Sequence, residues 1–287
     1  MAERVEIVEM GPRDGLQNEP RLIPTDEKIA LVDCLSRVGF RRIEVASFVS
    51  PKWVPQMADS AAVLAGIKRM PGVSYAALTP NLRGYEDARA ARADEVAIFA
   101  SASEGFSRAN LNCSISESIE RFRPIALAAS VGNVKLRGYV SVVTDCPYDG
   151  PTSPDAVARV VALLRDLGCY EISLGDTIGH GRPETIDAML AAVLNEMPPE
   201  RLAGHYHDTG QRALANIEAS LARGLRVFDA AVGGLGGCPY APGAAGNVAS
   251  EAVDLRLKEL EYETGLDAAI LAEASALARA MRGKTDG

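Results

Sequence analysis

The chain has 287 residues, 47% hydrophobic and 24% charged, close to globular averages and long enough for one α/β barrel or two smaller domains. A net charge of −8 argues against a general nucleic-acid or anionic-membrane binder, and no apolar run reaches the length of a membrane span. Five scattered cysteines without a CxxC, behind an N-terminus that opens directly on a strand-like pattern, imply a cytoplasmic protein with reduced thiols and no leader peptide.

Eight short apolar runs follow one another along the chain: "VEIVEM" (5–10), "RIEVASF" (42–48), "VSYAALTP" (73–80), "EVAIFASAS" (95–103), "VKLRGYVSVV" (134–143), "YEISLGDTIG" (170–179), "LAGHYHDT" (202–209) and "RVFDAAVGG" (226–234). They are continuous rather than alternating, as strands buried on both faces are. Helical patterns separate them. In "PTDEKIALVDCLSRVGF", Thr25 is placed to cap, acids fill the first turn, and Ile29, Val32 and Leu35 form a stripe before Gly39. "ETIDAMLAAVLNEM" and "GQRALANIEASLARG" are of the same kind. Strand–helix alternation at this spacing predicts a (β/α)8 TIM barrel as a single domain over residues 1–287, with a doubly wound sheet as the alternative. From about residue 251 the chain reads as extra C-terminal helices, covering the barrel or forming an oligomer contact.

The unusual polar residues fall where those strands end, at the side of a barrel where active sites are built. "GPRDGLQNE" follows the first strand, "GDTIG" ends the sixth, "GHYHDTG" ends the seventh, and "GGLGGCPYAPGAAGN" follows the eighth. His205 and His207, two apart on a strand, point to one face and can converge on a metal ion; two core histidines, each bonded to a neighbour, would look the same. Asp14 can add a carboxylate, or be an ordinary Asp-Gly turn. Asn247 can add an amide oxygen, or cap the helix that follows. Such ligands suit Mg²⁺ or Mn²⁺. Arg13 beside a metal becomes a fixed charge for a developing oxyanion. Glu44 inside a buried strand needs a partner, and Arg13 is a candidate. Asp176 can orient a ligand histidine or a substrate group, or simply close a turn.

"VEIVEMGPRDGLQNE", "IEVASFVSPKWVPQMAD", "ASASEGFSRANLNCSI", "GYVSVVTDCPYDGP", "EISLGDTIG", "GHYHDTG" and "GGLGGCPYAPGAAGN" together resemble 3-hydroxy-3-methylglutaryl-CoA (HMG-CoA) lyase, in order from residue 5 to about residue 251. The resemblance implies cleavage of HMG-CoA to acetyl-CoA and acetoacetate by a homodimer. It implies a divalent ion, Mg²⁺ or Mn²⁺, on Asp14, His205, His207 and Asn247. It implies Cys238 as the catalytic thiol on a closing glycine loop, with His205 as a further proton donor to the enolate, and Asp14 or a water as base. Arg13 would face the thioester carbonyl. Gln17, Glu44, Asp176 and Glu251 would lie on the substrate side or behind the ligands. A related 3-hydroxyacyl-CoA, such as citramalyl-CoA or an isoprenoid-extended glutaryl-CoA, stays open as substrate. A condensing synthase of the isopropylmalate or homocitrate type and a barrel that binds acyl-CoA without turnover are the competing readings.

Overall fold

The computed structural model describes residues 2–237 and 246–282. Among them, eight parallel strands close a barrel in sequential order: β1 (Glu6–Glu9), β2 (Arg42–Ser47), β3 (Ser74–Leu78), β4 (Glu95–Ser101), β5 (Lys135–Ser141), β6 (Glu171–Asp176), β7 (Leu202–Tyr206) and β8 (Val227–Ala230). This is the (β/α)8 barrel that the alternation of patterns predicts. Nearly every strand residue is buried, which is why the runs are continuous rather than alternating. Several expected strands overshoot at the C-terminal end. The first extra residues still donate to neighbouring strands, as in Met10 N–H to Ala230 O and Thr79 N–H to Ala97 O, both at 2.8 Å, and the chain then turns to loop partners, as in Asp208 N–H to Gly246 O at 3.0 Å. The overshoot therefore marks where the chain leaves the barrel to build its mouth.

The outer ring comprises α1 (Thr25–Leu35), α2 (Ser60–Gly66), α3 (Leu82–Ala90), α4 (Glu104–Leu111), α5 (Ile115–Val131), α6 (Pro154–Asp166), α7 (Pro183–Val193) and α8 (Ala213–Ala222). In α1, Leu31, Val32 and Leu35 are buried against the barrel, and Asp26 and Glu27 fill the first turn. Thr25 does not cap it: Pro24 holds the cap position, and the Thr25 hydroxyl donates to Asp59 Oδ2 at 2.7 Å. The longest helix, α5, begins with a reciprocal box in which Ser114 N–H donates to Glu117 and Glu117 N–H donates to Ser114 Oγ.

The C-terminal segment forms α9 (Ser250–Glu259) and α10 (Ala268–Met281). Of the two expected uses of these helices, both cover the barrel: α9 packs on β1, and α10 packs on α1 and on the turn Val232–Gly234. Asn247 does not cap α9, whose cap position is Ala249 without a side-chain bond. Instead residues 246–248 run antiparallel to the end of β7, and Asn247 bridges His207. A contact between segments 40 residues apart thus overrides the local capping preference.

Candidate metal centre at the barrel mouth

Each polar side chain of the mouth is placed by strand periodicity. His205 lies in β7 and His207 just past its end, so both face inward. Asp14 comes from a single π-helical turn, Gly11–Gly15, which closes over β1 and brings Arg13 and Asp14 to the same mouth. Ligand atoms of Asp14, His205 and His207 lie within 4.8 Å of one another. Asn247 joins them, its Nδ2 donating to Asp14 Oδ2 at 2.8 Å.

The satisfaction of these groups is uneven. Asp229 of β8 accepts from His205 Nδ1–H at 3.1 Å, which fixes the tautomer and leaves the Nε2 lone pair facing Asp14 Oδ2 at 3.7 Å. Asn247 Oδ1 and His207 Nδ1 are buried with no hydrogen-bond partner among the described residues. Buried polar atoms are rarely left this way without a ligand. Two imidazoles, a carboxylate and an unpaired amide oxygen fit a divalent cation that takes oxygen and nitrogen donors.

The charges also suit such an ion. Burial pushes the Asp14 carboxyl up, but Arg13 and the two histidines more than offset it and hold the group well below the usual carboxylate range. Burial, with His205 nearby, pulls His207 down to about 4, so its imidazole is neutral near pH 7, as a ligand must be.

Arg13 is buried and committed on two sides: Nε donates to Glu44, and Nη1 donates to Asp14. Glu44 of β2, the carboxylate whose burial demands a partner, thus has Arg13, and it also accepts from the Tyr139 hydroxyl at 2.5 Å. Arg13 Nη2 makes no hydrogen bond among the described residues, and Arg13 lines a cavity of about 960 Å³ with Asp14, Gln17, Tyr139, His205, His207 and Gly237. Gln17 Oε1 is buried there without a partner among the described residues.

The other expected residues lie elsewhere. Asp176, the last residue of β6, accepts from Thr144 Oγ1 at 2.7 Å and Gly181 N–H at 2.8 Å, so it shapes the following loop and does not touch His205. Orienting His205 falls to Asp229 instead. Glu251 of α9 lies off the cavity, accepting from Gly233 N–H at 3.0 Å and Ser275 Oγ at 2.6 Å, and ties the base of the glycine loop to α10. Cys238 lies outside the described residues. Its neighbour Gly237 lines the cavity, and Asn18 Nδ2 donates to Gly237 O at 3.1 Å. At the loop's base a Cβ on Gly246 would come within 2.3 Å of the Gly236 backbone, so only glycine permits that closure.

Asp229, Arg137 and Tyr139 escape the sequence reading, although a signal exists. "KLRGYV" and "RVFDAAV" put polar residues inside strands buried on both faces, the same anomaly that singles out Glu44.

The chain belongs to the HMGL-like family, whose model matches residues 4–278. It is 56% identical over 287 residues to the 3-hydroxy-3-isohexenylglutaryl-CoA/hydroxy-methylglutaryl-CoA lyase of Pseudomonas aeruginosa, a match covering all of this chain and 96% of that protein. It is 54% identical over 274 residues to the mitochondrial hydroxymethylglutaryl-CoA lyase of Bos taurus, covering 96% of this chain and 84% of that one. Among solved structures, the crystal structure of the HMG-CoA lyase from Brucella melitensis matches with a TM-score of 0.97 at 62% identity, over 98% of this chain and 99% of that one.

Proposed function

We propose that this chain is a divalent-metal-dependent carbon–carbon lyase that cleaves HMG-CoA to acetyl-CoA and acetoacetate. The observation that carries the reading is the donor set at the mouth: Asp14, His205 and His207 converge, with Asn247 Oδ1 buried and unpaired beside them. Mg²⁺ or Mn²⁺ held by those four residues would supply Lewis acidity toward the substrate's oxygen atoms.

The side chains divide the remaining work. Arg13, fixed by Glu44 and Asp14, turns its free Nη2 toward the cavity, where it donates to the thioester oxygen as enolate charge develops. Asp14 stays ionised and accepts the proton of the tertiary hydroxyl. The charge of Arg13 lowers its proton affinity, so that hydroxyl must itself be acidic when the proton moves. As the carbon–carbon bond breaks, its electron pair passes to the acetyl-CoA enolate, and the other fragment leaves as acetoacetate. Cys238, following the cavity-lining Gly237, protonates the enolate carbon; His205, the other expected donor, has its one N–H committed to Asp229 and its Nε2 turned to the ion site.

The cavity favours a second, overlapping reading. About 960 Å³, with Leu78, Phe99 and Phe106 in its wall, leaves apolar room beside the polar centre for a longer 3-substituent, and the name of the Pseudomonas aeruginosa relative includes the isohexenyl substrate. The scattered thiols, buried and free where described, support a reducing cytoplasm, and a homodimer is the expected assembly. No described helix is long and apolar enough to cross a membrane.

Incubation with HMG-CoA and Mg²⁺ should release acetoacetate, chelation should abolish release, and added Mn²⁺ should restore it. Full activity after exhaustive chelation would remove the metal from the account. Running 3-hydroxy-3-isohexenylglutaryl-CoA in parallel decides the second reading.

A further inference from the structure

Below the metal centre, one arginine joins its two halves. Arg137 of β5 is 1% exposed and makes four hydrogen bonds. Nη2 donates to Asp229 Oδ1 at 2.7 Å and Nη1 to Asp229 Oδ2 at 3.2 Å. Nη1 also donates to the Tyr139 hydroxyl at 2.8 Å, and Nε donates to Glu171 Oε1 at 2.7 Å. Asp229 in turn accepts from Ser173 Oγ at 2.7 Å and from His205 Nδ1–H. Tyr139, accepting from Arg137, donates its own proton to Glu44, which grips Arg13.

Two arms therefore leave one guanidinium. One runs Arg137–Asp229–His205 and ends on a metal-facing imidazole. The other runs Arg137–Tyr139–Glu44–Arg13 and ends on the arginine that faces the substrate. The arms meet again at Asp14, bonded to Arg13 Nη1 and 3.7 Å from His205 Nε2. Period-2 spacing on β5 explains the arrangement: Arg137 and Tyr139 point to the same interior face in adjacent layers. Parallel pairing sets Asp229 beside His205.

The geometry points to Arg137 as the positioning residue that sets His205 and Arg13 in register with each other. This rests on the metal-lyase reading above. The planar fork is essential to it, because an ammonium, with three donors on one atom, cannot make the four bonds to Glu171, the Tyr139 hydroxyl and both oxygens of Asp229. Hydrogen bonds run unbroken from His205 through Asp229, Arg137, Tyr139 and Glu44 to Arg13, so a shift of the central guanidinium is felt at both ends.

The test is Arg137→Lys, which keeps the buried charge beside Glu171 and Asp229. Mn²⁺ affinity is measured by electron paramagnetic resonance (EPR), kcat and KM with HMG-CoA, and folding by thermal melt. The expected result is a folded protein with Mn²⁺ bound about tenfold or more weakly. Its kcat should fall about tenfold to a hundredfold, with KM changed far less. A lowered melting temperature with Mn²⁺ affinity and kcat both within about twofold of wild type would make Arg137 merely structural and overturn the proposal. If Arg137→Lys does not fold, the arms are cut singly. Asp229→Asn should then weaken Mn²⁺, and Tyr139→Phe should lower kcat with Mn²⁺ affinity kept; unchanged Mn²⁺ binding in the first or unchanged kcat in the second overturns it. A wild-type protein that binds no Mn²⁺ or leaves HMG-CoA intact defeats the lyase reading instead, so the two failures are distinguishable.

Discussion

At the N-terminal end of the barrel interior, Arg42 commits all three nitrogens: Nε to Glu6, Nη1 to Tyr170 and Glu171, and Nη2 to Glu171. At the C-terminal end, Asn247 Oδ1 and His207 Nδ1 are just as buried and have no partner among the described residues. Both regions are charged and buried, and both depart from the apolar filling usual in such barrels. What separates them is unfilled valence. The lower cluster is a closed set of ion pairs; its exception, Glu95 Oε2, belongs to a carboxyl that burial pushes up toward the neutral form, while Tyr170 donates to its other oxygen. The upper cluster holds convergent acceptors that no described residue fills. Charge in a barrel core therefore does not itself mark a site; unsatisfied acceptors aimed at one point do.

Substitutions at the two ends should fail in different ways. His207→Ala should fold yet lose detectable cleavage of HMG-CoA, because the donor set loses a member; an acetoacetate assay showing more than a few per cent of wild-type rate would break the contrast. Arg42→Met at the other end should cost about 3–5 kcal/mol of stability, since the buried Glu171 loses one of its two arginines and the half-buried Glu6 loses its cation. Denaturant melts check that figure, and kcat should stay within about threefold, because Arg42 does not line the cavity.

Arg13→Lys sharpens the comparison within the upper end. It keeps the charge but not the fork that serves Glu44, Asp14 and substrate together. kcat should fall about a hundred- to a thousandfold, as when one preorganised oxyanion donor is removed. KM should rise much less, and a steady-state comparison would show a mainly KM effect if Arg13 only binds substrate.

The smallest effect belongs to Glu9, at the junction of the two halves. Its carboxyl accepts from Gly11 N–H at 2.7 Å, Val232 N–H at 2.9 Å and Ser250 Oγ at 2.6 Å, joining the Arg13–Asp14 turn to the base of the glycine loop. Burial outweighs those bonds and raises the group from 4.5 to about 7. A raised acid favours the folded state below its unfolded value and loses that advantage as pH rises through its folded one. Wild-type stability should therefore fall between about pH 4.5 and 7 relative to Glu9→Gln, by at most about 3–4 kcal/mol at roughly 1.4 kcal/mol per pKa unit. Paired melts at pH 5 and pH 8 measure the difference; a gap that is constant with pH would mean that Glu9 is already ionised at pH 5.

Much of this was legible in the residues because burial on both faces writes strands as continuous apolar runs, and all eight appear in order. The HxH spacing and the RDG turn were legible for the same local reason. Asp229 was not, because a single acid in "RVFDAAV" gains meaning only when β8 is laid beside β7. Asn247 read first as a helix cap, and a backbone bridge to His207 takes it out of that position. Asp176 and Glu251 matched the family pattern in sequence, yet their hydrogen bonds go to a loop and to α10 rather than to the cavity.

The central claim is that the unfilled acceptors at the mouth bind one divalent ion and that the equally charged lower cluster binds none. Titrating Mn²⁺ into metal-free protein while following the free-ion EPR signal tests it. One ion per chain should bind to wild type and to Arg42→Met with similar affinity, and none to His207→Ala. Tight binding that survives in His207→Ala, or disappears in a folded Arg42→Met, would contradict it.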